Sequence, residues 1–352
     1  MRARDISHAI LNHRHDLLDT ILTCQYHQQP DLWQRYDERA QQKTIQDIHH
    51  HITYLAEAVA VERPALFADY VAWLRSVLNG YGVPEEDLRV NLECLSASLN
   101  QHLTADMQQI LKPYLEMAVA QVIRPDGAYI SLLDPDAPYA GLARDYLDAL
   151  LNGDRQQASR LILAAVDAGA SVKDIYLHVF QPVQHEVGRL WQVNEISVAH
   201  EHFITAATQL VMSQLYPRIF TIDKSGNTLV ATCVGGELHE IGIRMVADFF
   251  EMDGWDTFYL GANTPVESII QTMIERHADV LAISATMLLH VGMVEKLVDA
   301  VRRSDARHAR ILVGGYPFNV ARDLWQQIGA DGSAPDAEAA IRLANDMVGK
   351  AG

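Results

Sequence analysis

The chain has 352 residues, 49% of them hydrophobic, and its 28 basic and 45 acidic residues give a net charge of −17. This length suits two or three domains, and no apolar run approaches the length of a membrane span. The first 130 residues are also acidic, with 11 basic against 17 acidic side chains. Because nucleic acid is bound by clustered positive charge, we expect no direct contact with nucleic acid and no membrane partner.

The N-terminus and the cysteines predict where the protein resides. The segment from Met1 leads into a polar, histidine-rich stretch and not into a secretory apolar region. Cys24, Cys94 and Cys233 are isolated, without CxxC spacing, so we expect no disulfide framework. Together these features predict a cytoplasmic protein.

Residues 1–128 are predicted to form an all-helical domain of bundle or globin-like type. Five stretches keep a helical spacing of apolar residues, and prolines and glycines divide them. The stretches are Leu17–Leu22, Ile45–Val59, Leu66–Val77, Leu88–Leu99 and Leu111–Val122.

Eight of the sixteen histidines fall in this N-terminal region, and three explanations for them stay open: solvated surface, a structural metal site, or contact with a second chromophore. The triplet His49-His50-His51 points three ways around a helix and cannot form one metal-binding face. Tyr70, Trp73 and Tyr81 are either core aromatics or the wall of a chromophore site. The eight histidines are His8, His13, His15, His27, His49, His50, His51 and His102.

Residues 138–220 are predicted to form a four-helix bundle. Turn-rich segments bound it, one running from Pro125 to Pro138 and the other from Thr221 to Asn227. Nine residues separate Trp191 from the Glu201-His202 pair, near the last helix of the bundle. Tight turns join the helical patterns and favour a bundle. The patterns are Gly141–Leu151, Arg155–Ala168, Val172–Leu190 and Val198–Leu215.

Residues 226–352 alternate short apolar runs with amphipathic stretches, which predicts βαβ units and a parallel sheet covered on both faces. The expected fold is α/β, Rossmann-like and more closely flavodoxin-like. The predicted strands are Thr228–Val234, Thr257–Leu260, Val280–Ser284 and Ile311–Val313, and the predicted helices are Ile241–Met252, Val266–Arg276, Val291–Arg303 and Val320–Gln327.

Three signals in this region indicate one ligand site. The turn that runs from Glu237 through Leu238 and His239 to Gly242 follows the first strand, and 41 residues later comes Ser284-Ala285-Thr286. Another 27 residues lead to Gly314-Gly315. Each interval is long enough for one strand-helix unit, so all three signals fall at the carboxyl edge of the sheet, where open α/β folds bind ligands.

These residues resemble the signature of the cobalamin-binding domain family. The resemblance implies that His239 is the lower ligand of cobalt and that Glu237 holds the other ring nitrogen; imidazole suits such a borderline metal. The alternative is a flavodoxin-like domain in which His239 only caps a helix or bonds the backbone. The remaining implied contacts are close approach at Gly242, cofactor binding at Leu238, cofactor-tail contacts at Ser284 and Thr286, and a slot floor at Gly314 and Gly315.

The whole layout is similar to the cobalamin-dependent photoreceptors, and to the photocobilins among them. That resemblance rests on Glu237 and on Trp191 followed by Glu201-His202, and it implies adenosylcobalamin with its adenosyl group beneath Trp191. Light would cleave the cobalt-carbon bond and shift the helical cap, and biliverdin is a possible second chromophore. Gln192 stands where repressors of this family have a histidine, so the ligand after photolysis would be His185, His200, His202 or water.

The main expectation is therefore a light sensor that is not an enzyme. We expect it to be a homo-oligomer, with a dimer favoured, and to act on a downstream protein partner. The alternative expectation is a corrinoid protein that carries methyl groups in a methyltransferase system, because it shares the bundle, the cobalamin domain and most of these residues. An adenosylcobalamin isomerase is disfavoured because no substrate barrel is evident, and a corrinoid storage module is the simplest remaining reading.

Overall fold

A computed structural model describes residues 2–124, 130–220 and 223–349 of the chain. The chain separates into two units, residues 1–127 and residues 128–352. The predicted boundary at residues 125–127 and the start of the second boundary, at residues 221 and 222, lie outside the described residues. Within the described part, no helix combines the length and the apolar character that a membrane crossing requires.

The N-terminal unit is helical, as predicted. All five predicted stretches are helices, and α1 and the short α3 are additional. Local sequence sets several of the boundaries: the Asp37 carboxylate accepts a hydrogen bond from the Ala40 amide at the start of α4, and Pro64 opens α5. The helices are α1 (Ala3–Asn12), α2 (Arg14–Gln28), α3 (Leu32–Arg35), α4 (Glu38–Ala60), α5 (Pro64–Gly80), α6 (Glu85–His102) and α7 (Ala105–Val122).

The histidine triplet is split between core and surface in this unit. His51 is buried and its Nδ1 lies 2.9 Å from the Tyr70 hydroxyl, and burial lowers the pKa of His51 to about 3. Tyr70 is itself buried and stacks on Tyr54 with 3.8 Å between ring centroids. Tyr81, by contrast, is 62% exposed. His51 is thus a neutral core residue, so a solvated surface does not explain the whole triplet.

A disulfide joins Cys24 of α2 to Cys94 of α6. The expectation that the cysteines are unpaired is therefore wrong for these two, while Cys233 is free and buried. The two partners lie 70 residues apart in the sequence, and only the antiparallel packing of α2 against α6 brings their Cα atoms to 5.6 Å. Local spacing carries no information about such a pair, and the cysteine-based argument for a cytoplasmic location loses its support.

The second unit begins with a helical segment, residues 140–219. The predicted third helix is interrupted by a π-helical turn at Tyr176–Phe180, between α10 and α11. Pro182 at the start of α11 has no amide hydrogen to continue the α-helical pattern, which accounts for the wider turn before it. The helices of this segment are α8 (Ala140–Leu151), α9 (Arg155–Asp167), α10 (Val172–Ile175), α11 (Gln181–Gln192) and α12 (Val198–Ile219).

A parallel five-stranded sheet follows, in the order β2-β1-β3-β4-β5. The four predicted strands are confirmed within about one residue at each end, and β5 was missed because two residues give no periodicity. The strands are β1 (Thr228–Cys233), β2 (Asp256–Gly261), β3 (Val280–Ser284), β4 (Arg310–Gly314) and β5 (Gly332–Ser333).

Helices connect these strands and cover the sheet. The predicted stretch Val320–Gln327 is wrong as one helix, because Ala321, Arg322 and Asp323 separate two short ones. The helices are α13 (Ile241–Glu251), α14 (Val266–Glu275), α15 (Val291–Arg302), α16 (Tyr316–Val320), α17 (Leu324–Gln327) and α18 (Ala337–Met347).

The helical segment and the α/β part of the second unit share one hydrophobic core. At their junction the ring centroids of Tyr176 and Phe249 are 6.1 Å apart. The Tyr176 hydroxyl donates a hydrogen bond of 2.7 Å to the buried Asp248 carboxylate of α13. Arg244 of α13 donates to the Ser213 hydroxyl of α12 at 2.7 Å. Polar contacts thus anchor the helices beside the start of the sheet.

Asp248 should make the stability of this unit depend on pH. Burial raises the pKa of Asp248 from an ordinary 3.8 to about 6. Because the folded state holds the proton more tightly than the unfolded state, the ionised side chain costs stability, and that cost grows as the pH rises from about 4 to 6. We expect the free energy of unfolding of Asp248→Asn, relative to that of the wild type, to increase by ~2 kcal/mol when the pH is raised from 4 to 7.5. Denaturant unfolding at both pH values measures this difference, and an equal difference at the two values would contradict it.

Candidate functional site

The three sequence signals meet at the carboxyl edge of the sheet. Cys233 at the end of β1, Ser284 at the end of β3 and Gly314 at the end of β4 are neighbours in register. The loops after β1 and β3 flank the point at which the strand order reverses. In sheets of the order 2-1-3-4-5 this switch point is the crevice in which ligands bind. The fold therefore assembles the expected site from segments far apart in the sequence.

Glu237 lies at the centre of this edge and is completely buried. Its Oε1 accepts a hydrogen bond from the His239 backbone amide at 3.0 Å and lies 2.6 Å from His239 Nδ1. Its Oε2 accepts from the Thr286 amide at 2.7 Å and lies 2.8 Å from His290 Nδ1. A buried carboxylate is stable only when it is well hydrogen-bonded, and here both oxygens are.

These contacts keep Glu237 ionised. Burial by itself raises the pKa of Glu237, but hydrogen bonds from His239, His290 and two backbone amides outweigh it, so the net shift is downward. The hydrogen bond to Glu237 in turn raises the pKa of His239, although burial opposes the rise. The carboxylate therefore increases the basicity of the imidazole, as an outer-sphere partner does for a metal-bound histidine.

His239 has the geometry of a metal ligand. Its Nδ1 is engaged by Glu237, and its side chain is 58% exposed, which leaves Nε2 for a metal. Gly242, one turn further at the start of α13, would meet no protein atom within 4 Å if it carried a Cβ. The space around Gly242, three residues after His239, is thus open. A donor nitrogen of fixed orientation next to open space fits the cobalt of a corrinoid.

Gly315 lies where two backbone segments almost touch. A Cβ at this position would lie 2.1 Å from the Ala285 carbonyl oxygen, and the residue has a φ of +104°. At Gly314 a Cβ would lie 3.3 Å from the Ala334 carbonyl oxygen. Gly315 is therefore required by the protein's own packing, whereas a side chain at Gly314 would make only a tight contact, and the pair keeps this edge free of side chains. Ser284 and Thr286 lie beside it and are partly exposed.

Glu240 ties this loop to its surroundings. Its Oε2 accepts hydrogen bonds from the Tyr259 hydroxyl and the Ala262 amide, each at 2.9 Å. Its Oε1 accepts from Gln209 of α12 at 2.8 Å. The loop that carries His239 is thus held by β2 on one side and by the helical segment on the other.

The expected upper-face residues lie at one end of the helical segment. Trp191 is partly buried near the end of α11, and Glu201 and His202 lie in the first turn of α12. The Glu201 carboxylate approaches His202 Nδ1 at 2.5 Å and contributes to the raised pKa of His239. His200 is used locally, with its Nδ1 2.8 Å from the Ser197 hydroxyl at the start of α12. Glu201 is therefore within electrostatic reach of the His239 site.

Two of these functional contacts were not identified from the sequence. His290 shares the Glu237 carboxylate with His239, yet 50 residues separate the two histidines and no motif links them. Glu240 was noted only as part of the turn, and its link to Gln209 depends on tertiary packing. The structure explains why residue 237 is a glutamate. Its side chain, longer than that of aspartate, reaches hydrogen-bond partners in the loops after both β1 and β3.

Comparison with known families supports the cobalamin assignment. Residues 227–342 match the model of a B12 binding domain, and residues 142–216 match a second B12 binding domain model. Residues 5–122 match the model of a phycobilisome protein. The chain thus combines a helical N-terminal region with a C-terminal parallel α/β, Rossmann-like B12-binding domain. Cobalamin binding, expected from the sequence, is confirmed.

Curated relatives cover just over half of the chain. A corrinoid protein of Desulfitobacterium hafniense is 26% identical over 208 residues, which is 57% of this chain and 95% of the relative. Monomethylamine corrinoid protein 1 of Methanosarcina mazei is 26% identical over 209 residues, 57% of this chain and 94% of the relative. The structure of the Methanosarcina barkeri monomethylamine corrinoid protein superimposes with a TM-score of 0.53 at 22% identity, covering 59% of this chain and 99% of that one. This last similarity establishes the shared fold.

The relatives contradict the light-sensor interpretation. All three are named as corrinoid proteins, and two of them are named as monomethylamine corrinoid proteins. Glu237 and the acidic N-terminal region are therefore not specific to photoreceptors. The prediction of a light sensor, in which light removes an adenosyl group and starts a signal, is wrong. The same names bear out the expectation that the chain is not itself an enzyme.

Proposed function

We propose that this protein is a corrinoid-dependent methyl carrier that passes a methyl group between the active sites of two methyltransferases. The observation that supports corrinoid binding is His239, whose Nδ1 is held at 2.6 Å by a buried carboxylate while its side chain remains 58% exposed. The choice of a carrier over other corrinoid proteins rests on the relatives. Relatives named as monomethylamine corrinoid proteins support a methylated amine as the class of methyl donor. A corrinoid held by these residues would supply a cobalt ion able to accept a methyl group from one reactant and give it to another.

The residues of the site would control the basicity and orientation of the lower ligand. Glu237 fixes the His239 ring through Nδ1, so Nε2 keeps one direction and a lone pair for the metal. His290 and the Thr286 amide hold the other carboxylate oxygen, which prevents Glu237 from rotating away. We assign Ser284, Thr286, Gly314 and Gly315 to the walls of the slot for the cofactor tail, because the register of β3 and β4 brings them together.

The helical segment, residues 140–219, would cover the upper face. Trp191 and Glu201 lie at one end of it, and Glu201 acts electrostatically on the His239 imidazole. A methyltransferase reaches the upper face only if this segment moves. The contacts that resist such a movement include Gln209 to Glu240, Tyr176 to Asp248 and Arg244 to Ser213. Each of these hydrogen bonds involves a charged group, and such a bond typically contributes about 1.5–3 kcal/mol.

A labelled-methyl experiment tests the proposal. The full chain is reconstituted with a corrinoid, reduced, supplied with [14C]iodomethane and freed from small molecules by gel filtration. We expect one labelled methyl group per bound corrinoid, and its transfer to a thiol when a methyltransferase fraction from the host organism is added. The chain without corrinoid controls for direct alkylation of the protein.

The outcome separates a carrier from a storage module. A storage module would retain the label, or release it no faster than free corrinoid does under the same conditions. That result would contradict the carrier assignment while leaving cobalamin binding intact. We propose that the partners are the donor and acceptor methyltransferases. Illumination of the corrinoid-loaded protein should leave its oligomeric size unchanged.

A bilin in the N-terminal unit is a separate proposal, supported by the match of residues 5–122 to the phycobilisome protein model. Cys24 and Cys94, the two cysteines of that unit, are joined to each other. A thioether to either sulfur would require the disulfide to open, so biliverdin would be held without a covalent bond. Retention of visible absorbance by native but not by denatured protein, after expression with biliverdin, supports this form of binding.

A further inference from the structure

A cluster of two histidines and one aspartate lies in the N-terminal unit, far in sequence from the cobalamin motif. One ring nitrogen of His13, one ring nitrogen of His102 and one carboxylate oxygen of Asp16 all lie within 4.8 Å of one another. No local spacing in the sequence indicates this set, because His102 belongs to another helix, α6. Among the described residues, no other group of this kind comes together.

We propose that His13, Asp16 and His102 bind a divalent transition-metal ion, with zinc as the ion that fits best. Two imidazoles and a carboxylate are ligands that zinc accepts, and a fourth position open to water completes a tetrahedron. Bonds of about 2.0–2.1 Å place neighbouring ligand atoms of a tetrahedral zinc roughly 3.4 Å apart. His13 Nδ1 and Asp16 Oδ2 already lie 3.4 Å apart.

The side chains are free enough to complete the geometry. The side chains of His13 and Asp16 are 42% and 65% exposed, so small rotations close the remaining separations of up to 4.8 Å. The same exposure lets an ion enter from solvent. It also predicts moderate affinity, because a half-exposed site loses less water on binding and is less rigid than a buried structural site.

A hydrogen-bonded partner orients the third ligand. Thr20 donates its hydroxyl hydrogen to the Asp16 carbonyl at 2.7 Å, and its oxygen lies 3.1 Å from His102 Nε2. Because the Thr20 hydrogen is used, the oxygen is left to accept from His102 Nε2–H. A neutral ring that donates from Nε2 keeps the lone pair on Nδ1 for a metal. Such a second contact is typical of metal-binding histidines.

The site would fasten the end of a helix pair. α2 and α6 run antiparallel, since Cys24 pairs with Cys94 and Thr20 with His102. Asp16 precedes Cys24 by eight residues and His102 follows Cys94 by eight, so each helix places about 12 Å between the disulfide and the cluster. A metal ion there would hold the pair at one end while the disulfide holds it further along.

Zinc binding to the full chain tests this proposal. Corrinoid-loaded protein is treated with a chelator, kept free of reductant so that the disulfide stays closed, and titrated with Zn²⁺ by calorimetry, with bound zinc measured by mass spectrometry. We expect one zinc per chain and a rise in melting temperature. His102→Ala and Asp16→Asn should each weaken zinc binding at least 10-fold. Circular dichroism of the metal-free variants verifies that they fold.

His27→Ala is the matched control, because His27 is an exposed histidine on the same helix α2 and lies outside the cluster. It should bind zinc like the wild type. The proposal is overturned if the wild type binds no zinc, if His102→Ala and Asp16→Asn bind it as tightly as the wild type, or if His27→Ala weakens binding as much as they do. None of these results bears on methyl transfer, so this site and the proposed function fail or succeed separately.

Discussion

His239→Ala should abolish the spectrum of a corrinoid ligated by the protein and weaken corrinoid binding by ~100-fold or more, because even outer-sphere partners of metal ligands cost 10–100-fold when removed. The His239 side chain is 58% exposed, so its loss should leave the fold intact. Glu237 would lose the ring contact but keep the backbone amide of residue 239, the Thr286 amide and His290. Spectra and equilibrium dialysis of the reconstituted variant measure the effect.

His308→Ala is the control for this substitution. His308 is an exposed histidine of the same α/β part, outside the candidate site, and its variant should bind corrinoid like the wild type. The melting temperatures of both corrinoid-free variants should match that of the wild type. If His239→Ala kept the ligated spectrum, both the cobalt ligand and the proposed methyl carrier would have to be abandoned.

Gly315→Ala should destabilise the α/β part of the chain severely, even without corrinoid. The new Cβ would lie 2.1 Å from the carbonyl oxygen and 2.7 Å from the carbonyl carbon of Ala285, and backbone atoms have no easy way to yield. A φ of +104° adds strain for any residue with a side chain. Strain and overpacking together should cost about 4 kcal/mol. Thermal unfolding of the corrinoid-free protein measures this loss.

Gly242→Ala separates folding from cofactor binding. An added Cβ at Gly242 would meet no protein atom within 4 Å, and alanine favours the helix that begins there by up to ~1 kcal/mol. The corrinoid-free variant should therefore be as stable as the wild type, or slightly more so. The resemblance to cobalamin-binding domains nevertheless implies close approach of the cofactor at Gly242, so the added Cβ should weaken corrinoid binding. Unchanged affinity in Gly242→Ala would rule out close approach of the cofactor at this position.

Much of the second unit could be predicted from the sequence because its signals are local. Apolar runs predicted β1 to β4, and the spacing of the three motifs placed them at one sheet edge. The exceptions are also physical. β5 is too short to show alternation, and the π-helical turn at Tyr176–Phe180 depends on a proline whose effect the apolar pattern does not reveal.

The distinction between sensor and carrier could not be drawn from the site residues. In the proposed site His239, Glu237 and the Gly-Gly pair would hold a corrinoid from below, and that requirement is the same whichever group occupies the upper face. Glu237 is hydrogen-bonded to both His239 and His290. A glutamate at this position is therefore explained by the packing of two loops, and it does not distinguish a light sensor from a methyl carrier.

The sequence alone determined the kind of ligand and the strands and turns that carry the candidate site, because strand periodicity, turn-forming glycines and one histidine in a fixed motif act over short stretches of chain. Only the tertiary structure decided which distant groups lie next to one another: His290 and Glu237, Gln209 and Glu240, Cys24 and Cys94, and His102 with His13 and Asp16. The physical reason is that these pairings arise when separate helices and loops pack against one another, and such packing leaves no repeat in the sequence.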